Sequence, residues 1–231
     1  VTDLKDEQKK MQKFLQTQEK LLFRLLPFIR KSGFHSLSMD EIAKIMNISR
    51  VTLYKYFSTK EEIIQIVTNT IIDYFKEVVI GEPPEEEGLY AVRFQQLFEQ
   101  SVSLTMFVTE EYKHDLFSVY PEIYEQLLVV TQEREKQLLT FYQEGMRNSV
   151  FNELNGQVLI LQDQLLNTML DTKYLLMHGL TIEQVLYDFY KLKKVQLFKP
   201  EKLHLVDDNL IVPHIDYLTQ KISKTLFDTR Q

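Results

Sequence analysis

No cysteine occurs in the 231 residues, which excludes disulfides and thiolate-held metals. Glycine and proline are scarce, six of each, and an all-β chain would need far more turn residues. No run approaches the roughly 18 apolar residues that a membrane-spanning helix needs, so no membrane partner is expected. Residues 1–16 are charged and lack the apolar stretch of a secretory signal, and the expected compartment is the cytoplasm. Also missing are a Gly-rich phosphate loop, a Gly-x-Ser-x-Gly elbow and a His-Glu-x-x-His zinc motif. The expectation is a protein that is not an enzyme, with no catalytic residue, cofactor or metal.

What the chain does contain is an ordinary core-forming mixture, 44% hydrophobic and 26% charged. Its net charge of −6 conceals a division. Residues 1–80 hold 13 Lys and Arg against 10 Asp and Glu, and residues 81–231 hold 14 against 23. A basic head on an acidic body is the distribution a nucleic-acid binder needs, because phosphates attract only the part that touches them.

The boundary is Gly81-Glu82-Pro83-Pro84-Glu85-Glu86-Glu87-Gly88, where two prolines and an acidic run interrupt the helical period. Before it, four helices are expected. The first spans about 16–32, with Leu22, Leu25, Leu26 and Ile29 on its buried side, Pro27 as a kink and Gly33 as its stop. Ser38-Met39-Asp40-Glu41 is a capping box that opens the second. Ser49 caps a third, 49–56, and Thr59-Lys60-Glu61-Glu62 opens a long fourth, 59–79. After the boundary the period predicts helices at 89–107, 110–118, 121–147, 155–178, 181–198 and 213–227. The fold class is all-α, with a first domain at 1–80 and a larger helical bundle at 81–231.

Ser38 to Tyr56 forms two short helices joined by Met46-Asn47-Ile48-Ser49, the spacing of a helix-turn-helix whose second helix enters the major groove. Ile42, Ala43, Ile48, Leu53 and Phe57 face inward. Arg50, Thr52, Tyr54 and Lys55 face outward, with side chains suited to phosphates and base edges. An ordinary hairpin in a helical bundle shares this geometry. The details that separate the two are Gly33-Phe34, Ser38-Met39-Asp40-Glu41-Ile42-Ala43 and the run Ile48-Ser49-Arg50-Val51-Thr52-Leu53-Tyr54-Lys55-Tyr56-Phe57-Ser58-Thr59-Lys60-Glu61-Glu62. Over about residues 18–72 the chain resembles the TetR/AcrR family of transcription regulators.

The resemblance implies a DNA-binding set: Ser38, Tyr54 and Lys60 for phosphates, Arg50, Val51 and Thr52 for bases, with Ser49, Lys55 and Tyr56 beside them. Val51 stands where the family commonly has Gly, which suggests an apolar contact to a thymine methyl, and Leu37 replaces a common Thr. Lys5, Lys9, Lys10 and Lys13 form a basic N-terminal arm, read as a solvated extension. The resemblance further implies a homodimer on a palindromic double-stranded operator, with Leu159, Leu166, Leu170, Val185 and Phe189 as interface candidates. It implies a small, largely hydrophobic effector that releases a repressor, with Phe94, Phe98, Met106, Phe107, Tyr112, Tyr142, Met146 and Tyr174 as pocket candidates. Two other readings fit parts of the sequence. Glu111/His114 and Glu201/His204 have the Glu-x-x-His spacing of di-iron bundles, but Glu201 directly follows Pro200, where a rigid ligand helix is not expected. A bundle that has lost DNA binding would lack the basic, hydroxyl-bearing face present here.

Overall fold

The computed structural model describes residues 2–77 and 84–227; the side chains of 2–6, 31, 107 and 225–227 lie outside that set. Its helices are α1 (Thr2–Ser32), α2 (Met39–Ile45), α3 (Arg50–Tyr56), α4 (Lys60–Glu77), α5 (Glu87–Phe107), α6 (Glu110–Val119) and α7 (Pro121–Arg147). They continue with α8 (Gly156–Met169), α9 (Thr172–His178), α10 (Ile182–Leu197), a 3-10 stretch at Pro200–Leu205 and α11 (Val212–Phe227). No strand occurs among the described residues. Residues 81–83 of the proline-containing boundary lie outside them, as does the expected end of the fourth helix at 78–79. The chain packs as two units: the part up to Ile71 with Val108–Gln126, and Ile72–Phe107 with the part from Leu127 onward.

In the first unit α1 begins 14 residues before the expected start. Residues 3–15 contain no Gly, Pro or β-branched residue, so nothing there opposes helix propagation. Leu21, Leu22, Leu25 and Ile29 form its buried side. Pro27 lies inside the helix and deprives the Phe23 carbonyl of its usual donor. Gly33 ends the helix at φ +67°, and a Cβ at this position would collide with the Asp115 carboxylate. Both the left-handed backbone and the available space therefore call for glycine.

The expected caps form. Ser38 accepts from the Glu41 N–H while the Glu41 side chain accepts from the Ser38 N–H, completing a capping box. Asn47, at φ +53°, turns the chain, and Ser49 caps α3 through the Thr52 N–H. At α4 the arrangement is split: Thr59 Oγ1 accepts from the Glu62 N–H at 3.0 Å, while Glu62 accepts from Ser58 N–H at 2.6 Å.

The unit also includes α6, which lies beyond the expected boundary at 81–88. Tyr112 is buried with its hydroxyl 2.7 Å from Thr68 Oγ1 of α4. Phe34 packs edge-on against Tyr112 and stacks on Tyr120, and Thr109 Oγ1 donates to the Arg30 carbonyl at 3.2 Å. Burial holds the Tyr112 phenol protonated far above its ordinary range, so this link is neutral at any physiological pH.

The second unit is built around aromatic rings. Phe94 and Phe98 each pack on Tyr190, and Tyr90, Phe141, Phe151 and Phe198 form a set joined to them through Phe94 and Phe198. The expected helix 155–178 is two helices. Asp171 interrupts it by accepting from the Tyr174 N–H at 2.9 Å, which starts α9, and Gly179 closes α9 at φ +62°. A buried polar chain crosses this core: Lys193 pairs with Asp163, which accepts from Ser101 Oγ at 2.8 Å. Ser101 accepts from Arg134 at 2.9 Å, and Arg134 also reaches Gln100 at 3.0 Å. Each charge in it has a partner, as burial requires.

Candidate nucleic-acid interface

α3 is two turns long and buries only Leu53, with Phe57 buried just after it. That single anchor fixes which side faces out. Val51 is 71% exposed and Tyr54 45% exposed; Arg50 and Lys55 are also exposed, and Thr52 and Tyr56 are half-buried. Arg50 lies in the first helical turn, which in a helix-turn-helix meets base edges. Its guanidinium is held by Asp40: Nε stands 3.2 Å from Oδ1 and Nη1 donates to Oδ2 at 3.4 Å. The Tyr54 ring also meets the guanidinium, with the ring centre 5.7 Å from Cζ.

The remaining members of the expected set are more constrained. Ser49 Oγ accepts from the Thr52 N–H at 3.1 Å and lies 2.9 Å from Thr52 Oγ1, so both hydroxyls serve the start of the helix. Tyr56 anchors the other end: its carbonyl accepts from Gln18 at 2.7 Å and its ring packs on Phe14 at 5.0 Å. Ser38 Oγ donates to Glu41 at 2.7 Å, so its one proton is engaged within the capping box.

Lys60 is also engaged. Its ammonium donates to the carbonyls of Phe34, His35 and Leu37 at 3.1, 3.0 and 2.9 Å. An ammonium has three protons, so none is left for a phosphate. Partial burial lowers the Lys60 pKa, with the Asp115 and Glu41 charges acting in the opposite sense. Asp115 supports the same loop from the other direction, its Oδ2 accepting from the N–H groups of Phe34 at 2.5 Å and His35 at 2.8 Å. The loop that presents α2 is thus held by a cation on its carbonyls and an anion on its amides. Sequence reasoning missed Asp115 because it lies about 80 residues from the loop it supports. Asp40 was legible only as a capping-box neighbour.

In the second unit the structure corrects two expectations. Leu159, Leu166, Leu170, Val185 and Phe189 are no more than 3% exposed within this one chain, so they belong to its core and are not available to a second copy. The apolar residues that do face outward on these helices are others: Val158, Leu161 and Leu165 on α8, and Leu192 and Val195 on α10. The eight pocket candidates are not brought together. Tyr112 belongs to the first unit, and Tyr174 lies on the surface of α9 against His178. Phe94, Phe98, Met106 and Tyr142 are core, Met146 packs against that core, and the side chain of Phe107 lies outside the described residues. Tyr142 and Met146 line a groove of about 350 Å³ with Leu139, Leu154 and Gly156. The two Glu-x-x-His pairs fall in different units, Glu111 and His114 on α6, Glu201 and His204 in the 3-10 stretch. No group of three or more His, Asp or Glu side chains suited to a metal occurs among the described residues, and no described helix is long and apolar enough to cross a membrane.

Residues 38–57 form a capped helix-turn-helix that presents a cation and hydroxyl-bearing residues on its second helix, an arrangement suited to DNA. Residues 28–67 match the family model described as bacterial regulatory proteins, tetR family. Over that segment the chain is similar to TetR-family transcriptional regulators. It is similar to the biofilm operon icaADBC HTH-type negative transcriptional regulator IcaR of Staphylococcus aureus strain Newman, 22% identical over 62% of this chain and 78% of the relative. The Staphylococcus epidermidis counterpart is also 22% identical, over 48% of this chain and 66% of its own length. The fold is similar to that of the ketosteroid transcriptional regulator KstR2 of Mycobacterium tuberculosis, with a TM-score of 0.54 and 16% identity over 79% of this chain and 95% of that one.

Proposed function

We propose that the protein is a homodimeric repressor that binds a palindromic operator through α3 and is released from it by a small, largely hydrophobic effector. The observation that carries the reading is the outward face of α3. Arg50, Val51, Tyr54 and Lys55 are all exposed there, on a helix too short to be anchored any other way. Arg50 and Val51 read bases, while Tyr54 and Lys55 contact the backbone and set register. Ser38 and Lys60 act through the loop that they hold, and touch phosphate only after giving up an internal partner. The relatives named as negative regulators favour repression over activation.

One helix of this length addresses too few base pairs for a unique genomic site, so a second copy is required. Leu161, Leu165, Leu176, Met177, Leu192 and Val195 are each more than half exposed on α8, α9 and α10. They are the seat assigned to that second copy, since exposed apolar side chains in this number mark an interaction surface. The effector is assigned to the groove beside Tyr142 and Met146, whose volume suits a small molecule. For release, it must favour the state that does not fit the operator, because equal affinity for both states shifts nothing.

The test is selection of bound duplexes from a random pool at moderate salt. The expected result is an inverted repeat with half-sites about one helical turn or more apart. Recovery of only weak, salt-sensitive binding without a motif would show that the head does not read sequence.

A further inference from the structure

Asp40 does not belong to the capping box: Ser38 and Glu41 complete that box between them. An acid exposed beside a DNA-reading helix is a liability, since it repels the phosphates that the surrounding cations attract. Its carboxylate instead lies on the guanidinium of Arg50, ten residues away across the turn. Tyr54 bounds the same guanidinium. Both charges of the pair are more than half exposed, and an exposed pair of this kind adds little to stability.

What the pair does determine is direction. A free arginine on a helix start samples many rotamers and takes any phosphate within reach. Here one Nη1 proton is engaged by Asp40, while Nη2 and the second Nη1 proton have no partner among the described residues. The second Nη1 proton and the nearer of the two Nη2 protons are a parallel pair of donors. The base edge that offers two acceptors at matching separation is guanine, through O6 and N7 in the major groove.

We propose that Asp40 is a positioning residue that aims Arg50 at a guanine in each operator half-site, exchanging overall affinity for discrimination at that base pair. This rests on the reading of α3 as the sequence-reading helix. It differs from a stabilising role in a way that can be measured, because removing Asp40 changes affinity and specificity in opposite directions. Without the carboxylate the local charge becomes more positive, so binding to unrelated duplex tightens. Arg50 is then freed to take phosphates, and the preference for guanine falls.

The experiment measures binding of the parent, Asp40→Ala, Asp40→Glu and Arg50→Ala to three duplexes: the selected operator, the operator with each G·C pair facing α3 replaced in turn by A·T, and a scrambled sequence. In the parent, one G·C replacement is expected to weaken binding by roughly 5- to 150-fold, the range of one bidentate base contact. In Arg50→Ala that same replacement loses its effect. In Asp40→Ala the penalty shrinks at least about threefold, scrambled duplex binds more tightly than to the parent, and Asp40→Glu restores part of the discrimination. Equal weakening of all three duplexes by Asp40→Ala would overturn the proposal in favour of a structural role. A replacement penalty that Arg50→Ala leaves in place would overturn the guanine assignment. Failure of the parent to distinguish operator from scrambled duplex would instead remove the function on which the proposal depends.

Discussion

Helices α3 and α8 present the same problem with opposite clarity. α3 has one buried residue, Leu53, in two turns, and everything opposite it is polar or small enough to be exposed. α8 is apolar on both sides: Leu159 and Leu166 point into the core, while Val158, Leu161 and Leu165 point out. A helix with a single apolar stripe declares its orientation from sequence alone. One that is apolar all round declares only that it is covered, and not by what. The helix-turn-helix is of the first kind and the helical bundle of the second.

The largest effects are expected where the two sides of α8 are set against each other. Leu166→Ala empties a fully buried position and should cost about 2–5 kcal/mol, read as a shifted urea midpoint. Leu165→Asp, on a residue 54% exposed, should leave the midpoint within about 0.5 kcal/mol while lowering the sedimenting mass to that of one chain. If Leu165→Asp unfolds the protein and leaves its assembly unchanged, the assignment of inside and outside on this helix is inverted.

Next in size is the loop that joins α1 to α2. Asp115→Ala removes an anion from two amide N–H groups and should destabilise the first unit by about 1–3 kcal/mol. Because Asp115 lies outside the reading face, its loss should weaken all duplexes alike. A change in sequence preference would show that the loop itself contacts bases.

On the reading face the expected effects are smaller and differ by residue. Lys55→Ala should weaken operator and scrambled duplex equally and lower the slope of log K against log salt by about one, as the loss of one phosphate contact requires. Lys60→Ala separates two roles. If its ammonium stays on the three carbonyls in the complex, the salt slope is unchanged and only stability falls. A slope reduced by about one would mean that it moves to a phosphate on binding.

The smallest effect concerns acid. The Glu41 pKa is lowered, first by the Ser38 backbone N–H and then by the Ser38 hydroxyl. With the folded pKa below the unfolded one, the capping box contributes fully above the ordinary carboxylate range and is lost as pH falls through the folded value. Glu41→Gln should therefore lower the melting temperature slightly at neutral pH and leave it nearly unchanged in acid, which flattens the acid limb of a thermal-melt profile. An acid limb identical to the parent's would place the titration elsewhere.

How much of this was legible follows from the range of each interaction. Ser38 with Glu41, Ser49 with Thr52 and Gly33 at the helix stop act over three or four residues, and their spelling announces them. Asp171 was equally local, an N-cap inside an apolar run, and the continuous period on either side of it hid the break between α8 and α9. Contacts across long separations left no such trace. Tyr112 is aromatic and lies in the body's stretch of sequence, which points to the effector pocket, yet its hydroxyl meets Thr68 in the head. Sequence does not separate core from surface on α8 for the converse reason, since Leu159 and Leu161 differ only in which side of one turn they occupy.

The central claim is that the outward face of α3 reads DNA sequence, and its most direct test is a titration of two duplexes, selected and scrambled, with the parent and with Arg50→Ala across moderate salt. Both proteins should bind less tightly as salt rises. For the parent the two isotherms should remain apart, and for Arg50→Ala they should approach each other because only the selected duplex has lost a base contact. Equal loss on both duplexes, or none on either, would contradict the account.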